Sequence, residues 1–332
     1  MTTAASVSAN ILQIDAAGET QRIIAAIRDQ VFNGLRRKGA VIGVSGGIDS
    51  AVVAFLCAHA LGEERIRILF TPEAESSPDS LRLGRMVAKR LNAPSLVEDI
   101  TPILEGARCY ERRDNAVRQV IPEYGDGCKC KIVLPGILED SSYAVFSVVV
   151  QSREGKSKKV RLTPAAYLGI VAASNFKQRS RKMVEYYYAD LLQYAVAGTP
   201  NRLEYDLGFF VKNGDGAADI KPIAHLYKSQ VYQLAEYLGV PDEIRRRPPT
   251  TDTYSLEQSQ EEFYFTLPLE KMDICLYGKN HGVPAVELTQ ATGLSCEKIE
   301  RVYASIDAKR SVARYLHATP IGIEEGDLCP TP

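Results

Sequence analysis

Six consecutive residues, Ser45-Gly-Gly-Ile-Asp-Ser50, combine the chemical features of a phosphate-binding loop. Two adjacent glycines let the backbone approach a polyphosphate and turn its N–H groups toward the anion. The two serine hydroxyls add donors, and an aspartate beside phosphate makes chemical sense when it holds a Mg²⁺ ion. The Gly-Lys-Ser/Thr ending of a Walker A loop is missing, so the segment predicts a different class of nucleotide loop.

The elements on either side of this segment are those that a phosphate loop needs. Residues 40–44 have the composition of a short buried strand, and residues 50–61 predict a helix that ends at Gly62. Such a helix points its positive N-terminal end at the bound anion. Strands at 65–70 and 95–99, with a helix at 78–91 between them, continue the alternation. This pattern predicts an α/β fold in which a parallel sheet is flanked by helices.

Residues 106–162 interrupt that alternation and are interpreted as an insert. Its first part, 106–130, is polar and predicts irregular structure, whereas 143–151 and 158–162 predict a β-hairpin around a turn at 153–156. A helix over about 165–190, with a break near Asn175, a strand at 194–197 and a helix at 226–238 follow. A long loop over 245–268 and a helix at 296–317 complete the pattern. We expect an N-terminal arm at 1–18, a domain at 19–315 and a C-terminal tail at 316–332.

The composition excludes several broad classes of protein. A net charge of −1 gives no global basic field that would attract nucleic acid. No apolar run reaches the length of a membrane span, and the first residues lack the pattern of a signal peptide. Seven cysteines, an odd number in a long chain, do not fit a secreted disulfide framework. We therefore expect a soluble cytoplasmic enzyme without a membrane or nucleic-acid partner.

Further short segments occur in a fixed order after the phosphate loop. They are Ser76-Ser-Pro-Asp-Ser80, Asn175-Phe-Lys-Gln-Arg-Ser-Arg181, Gly198-Thr199 with Glu204, Gly208-Phe-Phe-Val-Lys-Asn-Gly-Asp215, Asp219-Ile-Lys-Pro222, Leu226-Tyr-Lys228, Pro249-Thr-Thr-Asp252, Gln258-Ser-Gln-Glu261 and Lys309-Arg310. Together with the loop they resemble the NAD synthetase family, a branch of the N-type ATP pyrophosphatases with the adenine nucleotide alpha hydrolase-like fold. The resemblance covers most of residues 19–315 apart from the insert.

The resemblance implies an ATP-dependent amide-forming ligase. Members of the family adenylate a carboxylate, release pyrophosphate and let ammonia attack the acyl-adenylate, with Mg²⁺ as cofactor and ATP as co-substrate. The resemblance therefore favours an ammonia-dependent NAD synthetase that acts on deamido-NAD, with small molecules as its partners. No glutaminase domain fits in the remaining residues, so free ammonia is the simpler amide donor. Family members form homodimers, and the helix near 165–190 is our candidate for that interface.

The resemblance also implies a role for individual residues. The ATP-binding group comprises Ser45, Gly46, Gly47, Asp49, Ser50, Arg179, Arg181, Thr199 and Lys228. The carboxylates of Asp49 and Glu204 would bind the metal. The group that would face the acyl substrate comprises Phe209, Phe210, Lys212, Asp215 and Asp219. The catalytic group comprises Asp49, Lys228, Asp215 and Glu261.

The chain departs from the family pattern at several positions near the expected acyl site. Gln260 stands where the family usually has Asp, Lys182 precedes Met183 where the family has Met directly, and Asn213 replaces Tyr. The insert could be a lid, a dimer element, a substrate selector or a surface decoration. These departures keep open a paralogue that adenylates and amidates a different carboxylic acid.

Cys128 and Cys130 raise a further alternative, because some ATP pyrophosphatases transfer sulfur by means of cysteines. The Cys-x-Cys spacing is poor for a zinc knuckle, which prefers two to four residues between its ligands. Cys109 is near in sequence, but no fourth ligand is evident. Sulfur transfer therefore remains an alternative to amide formation.

Overall fold

The computed structural model describes residues 9–134, 146–250, 253–265 and 267–321. Its central sheet has four parallel strands in the order β3–β2–β1–β7. These strands are β1 (Ala40–Gly43), β2 (Ile66–Phe70), β3 (Ser95–Val97) and β7 (Ala195–Ala197). A second sheet is antiparallel, with the order β4–β5–β6, and contains β4 (Lys129–Val133), β5 (Ser147–Gln151) and β6 (Ser157–Arg161). The predicted parallel α/β fold is confirmed.

Helices cover both faces of the central sheet and continue beyond it. Those before the insert are α1 (Ala16–Arg28), α2 (Ile48–Leu61) and α3 (Pro78–Leu91). Those around the insert are α4 (Thr101–Gly106), α5 (Cys109–Arg118) and α6 (Pro164–Leu192). The later ones are α7 (Arg202–Leu207), α8 (Lys228–Tyr237), α9 (Asp242–Arg246), α10 (Leu269–Asn280), α11 (Thr289–Thr292) and α12 (Cys296–His317). A π-helix, Glu261–Phe265, lies within the predicted loop over 245–268. No helix in the described ranges is long and apolar enough to cross a membrane.

The main core lies between the central sheet and helices α1, α2, α3 and α8. Helix α2 is buried almost all round, with only His59 exposed along its length and Asp49 half-buried at its start. A helix that is apolar on all faces belongs in a protein interior. This burial fixes the start of α2, and hence the phosphate loop, against the end of β1.

The insert contains more regular structure than its composition predicts. The hairpin of β5 and β6 is confirmed, although the first residues of its predicted first strand, 143–145, lie outside the described residues. The prediction of irregular structure over 106–130 is wrong, because α5 lies within it and β4 begins at its end. Helix α5 buries Cys109, Arg113, Ala116 and Val117, which share one helical face that packs on α6. The buried Arg113 interrupts the apolar pattern of that face, and its charge is paired with Glu75 and with the neighbouring Asp114.

Helix α6 runs without interruption from Pro164 to Leu192, so the predicted break near Asn175 is wrong. Thr163 caps its first turn, where its hydroxyl accepts the N–H of Ala166 at 3.2 Å. Its buried positions continue at helical spacing through Ala173 and Lys177, on either side of Asn175. Tertiary burial of a continuous face therefore overrides the weak local helix preference of asparagine.

Candidate active site

A cavity of about 450 Å³ opens at the carboxyl ends of β1, β2 and β7. Strand β1 continues to β2 on one side, whereas β7 adds to its other side, so the chain changes direction between β1 and β7. In open α/β sheets, ligands bind in the crevice at such a switch point. The segments that follow β1 and β7 both line the cavity, through Ser45 and Thr199 among others.

The phosphate loop has a backbone that demands glycine. Gly46 has a φ of +80°, and a Cβ atom there would lie 2.6 Å from the backbone oxygen of Ser80. Within the loop, the Ser50 hydroxyl donates to the Gly47 carbonyl at 2.9 Å and accepts the N–H of Ser45 at 3.3 Å. The loop is therefore closed on itself at the start of a buried helix, which suits it to hold an anion.

Asp49 connects the loop to two later segments of the chain. Its carboxylate forms an ion pair with the ammonium of Lys228 and accepts the side-chain amide of Asn201 at 3.1 Å. The Lys228 side chain is only 2% exposed. Burial alone would lower the pKa of Lys228, but Asp49 and Glu204 raise it above its ordinary value. The ammonium therefore stays charged, beside the site expected for the polyphosphate.

Glu204 lies near Asp49 in the same wall of the cavity. It forms a capping box with Asn201 at the start of α7 and accepts the Gln260 amide at 3.0 Å. Burial, and then the charge of Asp49, raise the pKa of Glu204 to about 8. Two carboxylates share this buried wall with one ammonium, so a bound divalent cation would relieve their repulsion.

The position of Lys228 depends on a residue that the sequence did not reveal. The buried carboxylate of Asp273, in α10, accepts the backbone N–H groups of Lys228 and Ser229 at 3.2 and 2.7 Å. It thereby satisfies donors at the first turn of α8 that would otherwise be buried without partners. Burial raises the pKa of Asp273 to about 6. No local motif marks this residue, because its partners lie 44 and 45 positions earlier in the chain.

The structure brings most of the sequence-predicted site residues into the cavity. These are Ser45, Gly47, Asp49, Ser50, Arg181, Thr199, Glu204, Phe209, Phe210, Asp215 and Lys228. The carboxylate of Asp215 accepts the N–H of Val211 at 2.7 Å, and burial raises its pKa. Asn213 has a φ of +60°, a conformation that asparagine tolerates better than tyrosine.

The remaining candidates do not line the cavity. Gly46 packs against α3, and Arg179 donates to the Lys212 carbonyl at 3.2 Å. The Lys212 ammonium in turn contacts carbonyls at the end of α12. Asp219 accepts the N–H of Val196 at 2.7 Å, and Glu261 accepts the N–H of Leu269 at 3.0 Å. The Asp219 carboxylate thus binds the backbone of β7, and the Glu261 carboxylate binds the first residue of α10. Asp252, quoted in one motif, lies outside the described residues.

Other cavity residues were missed or underrated by sequence reasoning. Asn201 precedes Glu204 by three residues, which is the spacing of a capping box and could have revealed it. Lys182 and Glu185 form a buried ion pair of 2.5 Å on the cavity side of α6. The carboxylate of Glu185 also lies so close to Gly43 that a Cβ atom there would be 2.5 Å from it. Only the departure at Lys182 hinted at this pair.

The cavity has two chemically distinct ends. Its phosphate end consists of Ser45, Asp49, Ser50, Glu204 and Lys228. Its aromatic end consists of Phe146, Tyr167, Phe209, Tyr254, Phe263 and Tyr264. The rings of Phe146 and Tyr167 are stacked, with centroids 4.1 Å apart. An anionic ligand group and a planar ring can therefore be held in one cavity.

The cysteine pair of the insert has a different environment. Cys130 is buried in the insert's own core, and burial raises the pKa of its thiol. Neither Cys128 nor Cys130 lines the cavity. In the described part of the chain, no group of three or more His, Cys, Asp or Glu residues is arranged to hold a metal. These observations do not favour sulfur transfer by these cysteines, which would require reactive thiolates.

A family model described as NAD synthase matches residues 19–119 and 150–313. The chain belongs to this family. The NH(3)-dependent NAD(+) synthetase of Mesorhizobium japonicum is 58% identical over 318 residues, which cover 96% of this chain and 100% of that protein. The enzyme of the same description from Rhizobium meliloti is 57% identical over 94% of this chain and 93% of its own length. The family model leaves unmatched the stretch 120–149, which lies inside the predicted insert.

Two solved structures share the fold. The NMN synthetase of Francisella tularensis has a TM-score of 0.65 at 22% identity and covers 93% of this chain and 99% of its own. An NH3-dependent NAD synthetase from Campylobacter jejuni has a TM-score of 0.61 at 23% identity. The match covers 94% of this chain and 100% of that chain. At such identities the likeness concerns the fold alone.

Proposed function

We propose that this chain is an ammonia-dependent NAD synthetase. It adenylates the carboxylate of deamido-NAD with ATP and replaces AMP by ammonia, which yields NAD, AMP and pyrophosphate. The observation that carries this proposal is the 58% identity, over 96% of the chain, to an NH(3)-dependent NAD(+) synthetase. The arrangement of Asp49, Glu204 and Lys228 behind a glycine-rich loop supports the ATP-consuming half of the reaction.

In this proposal the phosphate end binds the polyphosphate of ATP. Backbone N–H groups and hydroxyls of the loop contact the β- and γ-phosphates, and the Lys228 ammonium lies beside them. Arg181 and Thr199, which also line the cavity, contact the rest of the nucleotide. These groups hold ATP so that the substrate carboxylate attacks the α-phosphorus and pyrophosphate leaves.

Magnesium belongs to the same proposal, with Asp49 and Glu204 as its protein ligands. The two residues fit the ion, because Mg²⁺ commonly takes one or two carboxylates, substrate phosphates and water. Burial, and then the neighbouring charge of Asp49, raise the pKa of Glu204, so a cation bound between the two carboxyl groups would favour their ionised forms. When bound, the ion would neutralise charge that develops on the departing pyrophosphate.

The second half-reaction needs a dry environment around the acyl-adenylate. Ammonia attacks the acyl carbon, the bond from that carbon to the AMP oxygen breaks, and a proton leaves the nitrogen. Asp215 is buried in the cavity wall, and burial raises the pKa of its carboxyl. We include it as the candidate acceptor of that proton, while the surrounding aromatic side chains exclude water that would hydrolyse the intermediate.

A homodimer and a cytoplasmic location complete the proposal. Helix α6 carries exposed apolar side chains along its length, at Leu168, Met183, Tyr187 and Leu191. Large apolar side chains repeated along one surface helix are typical of an interface. The six cysteines in the described ranges are free, which fits a reducing compartment.

The proposal is tested by a screen for pyrophosphate release. The purified chain, Mg-ATP and ammonium are mixed with deamido-NAD, with nicotinate mononucleotide or with other carboxylic acids. We expect release with deamido-NAD and the appearance of NAD by mass spectrometry. Release with another acid, together with silence toward deamido-NAD, would contradict the proposal and favour the paralogue. Analytical ultracentrifugation of the same protein tests the dimer.

A further inference from the structure

Among the described residues, the insert contributes one side chain to the cavity, from a stretch that the family model does not match. Phe146 immediately precedes β5 and lines the aromatic end. It lies within 120–149, the stretch that the family model leaves unmatched. The insert is therefore part of the site and cannot be a surface decoration alone.

Phe146 is held in place by the architecture of the insert. Its carbonyl accepts the N–H of Leu162 at 2.9 Å, which extends the β5–β6 ladder by one residue toward the cavity. Its ring stacks on Tyr167, in the first turn of α6, with an interplanar angle of 20°. Both side chains are half-buried. They pack against the hydrophobic cluster of the insert on one side and remain accessible from the cavity on the other.

Tyr167 lies on the same face of α6 as other cavity residues. Val171 and Ser174 follow it at helical spacing, and both line the cavity. Tyr254 and Phe263, which also line the cavity, meet edge to face with centroids 5.5 Å apart. Aromatic side chains thus bound this end of the cavity from several segments.

We propose that Phe146 and Tyr167 form an aromatic wall that binds the planar ring of the acyl substrate and selects heteroaromatic carboxylates. This inference rests on the proposed function, which supplies a substrate whose reacting carboxylate is attached to a pyridine ring. An electron-poor pyridine ring stacks favourably on the faces of phenyl and phenol rings. The insert then acts as the substrate selector, because it provides the Phe146 ring. An aliphatic side chain at this position could not stack on the substrate ring in the same way.

The position of the aromatic wall in the cavity favours the acyl substrate over the adenine of ATP as its ligand. ATP must place its terminal phosphates at the phosphate end, and Thr199 follows β7 on the same sheet edge. Phe209 lies in the segment expected to face the acyl substrate, and it joins the aromatic end through its stack on Tyr264 at 4.8 Å. The aromatic end is therefore the part of the cavity left for the second substrate.

The test compares Phe146→Leu with the matched control Phe176→Leu. Phe176 lies on α6, packs in a different cluster and does not line the cavity. Calorimetry measures the affinity for deamido-NAD and for ATP separately, without turnover, and steady-state kinetics measures both KM values. We expect Phe146→Leu to weaken deamido-NAD binding and raise its KM by roughly tenfold, on the scale of one lost ring-stacking contact. Its affinity for ATP and its melting temperature should match those of the control.

Four other outcomes would overturn the proposed aromatic wall. Weaker binding of ATP in place of deamido-NAD would assign the aromatic end to adenine. An unchanged affinity for both ligands would leave Phe146 a structural residue, and so would equal losses for both that accompany a lower melting temperature. A wild-type protein that binds deamido-NAD without forming NAD would refute the proposed function. The affinity of Phe146→Leu for deamido-NAD would still show whether the aromatic wall binds this ligand. A wild-type protein that does not bind deamido-NAD would refute both.

Discussion

At the phosphate end of the cavity, most binding groups come from one strand–loop–helix unit, residues 40–61, whereas the aromatic end is assembled from distant segments. Phe146 comes from the insert, Tyr167 from α6 and Phe263 from the π-helix. The first end is specified by local backbone geometry, which requires glycine at Gly46. The second depends on tertiary packing alone. The phosphate end is thus specified by local sequence, whereas the aromatic end includes a side chain from the insert.

The largest effect is expected for Asp49→Asn, which changes the phosphate end and leaves the side chains of the aromatic end unchanged. The variant loses the charge that pairs with Lys228 but keeps the size of the side chain. We expect the kcat for NAD formation to fall by about a hundredfold to a thousandfold, because preorganised electrostatics at the phosphates is lost. Affinity for deamido-NAD, measured by calorimetry, should stay within about twofold, since the aromatic end is intact.

Asp79→Asn is the control for this change. Asp79 is an exposed aspartate in the first turn of α3, near the phosphate loop but outside the cavity. Its variant should retain nearly full activity. Equal losses in the two variants, or a loss of deamido-NAD affinity in Asp49→Asn, would break the division between the ends.

The same contrast explains what could be predicted from the sequence. The alternation of strands and helices and the glycine-rich loop are local signals, and they led to the correct fold and to Asp49. The motifs also led to Glu204 and Lys228, but not to Asp273, which reaches Lys228 only through the packing of α10. The role of Phe146 was equally hidden, because nothing in its neighbours indicates that the start of β5 lies against α6.

The next effect concerns a buried ion-pair network that lies beside the aromatic end and contacts Thr253, the residue before Tyr254. The buried ammonium of Lys177, on α6, donates to Glu73 at 2.9 Å, to Glu75 at 2.7 Å and to the carbonyl of Thr253 at 3.0 Å. Lys177→Met leaves two carboxylates short of a partner in the interior. Removing one partner of a buried ion pair costs about 3–5 kcal/mol, so we expect a loss of that order in the free energy of unfolding. Urea denaturation measures it.

Lys158→Met provides the matched comparison for Lys177→Met. Lys158 also pairs with a glutamate, Glu123, at 2.6 Å, but the side chains are 57% and 62% exposed. An exposed pair contributes about 0–1 kcal/mol, so this variant should unfold almost like the wild type. Equal losses of stability in both variants would contradict this prediction. They would mean that the buried ion pairs of Lys177 do not hold the loop after β2 against α6 and Thr253.

The smallest effect concerns Lys309, which supports the aromatic end from α12. Its ammonium donates to the Tyr264 carbonyl at 2.7 Å, and burial lowers its pKa to about 8. Between pH 8 and the ordinary lysine value near 10.5, the unfolded chain therefore binds more protons than the folded one, and stability rises with pH. Lys309→Met should remove that rise, a difference of about 2 kcal/mol between pH 7.5 and pH 10. Lys298→Met, which changes an exposed lysine on the same helix, should keep the wild-type slope in urea denaturation. Parallel slopes in all three proteins would mean that Lys309 titrates in the folded state as it does in solvent, and that the aromatic end is not closed to water on this side.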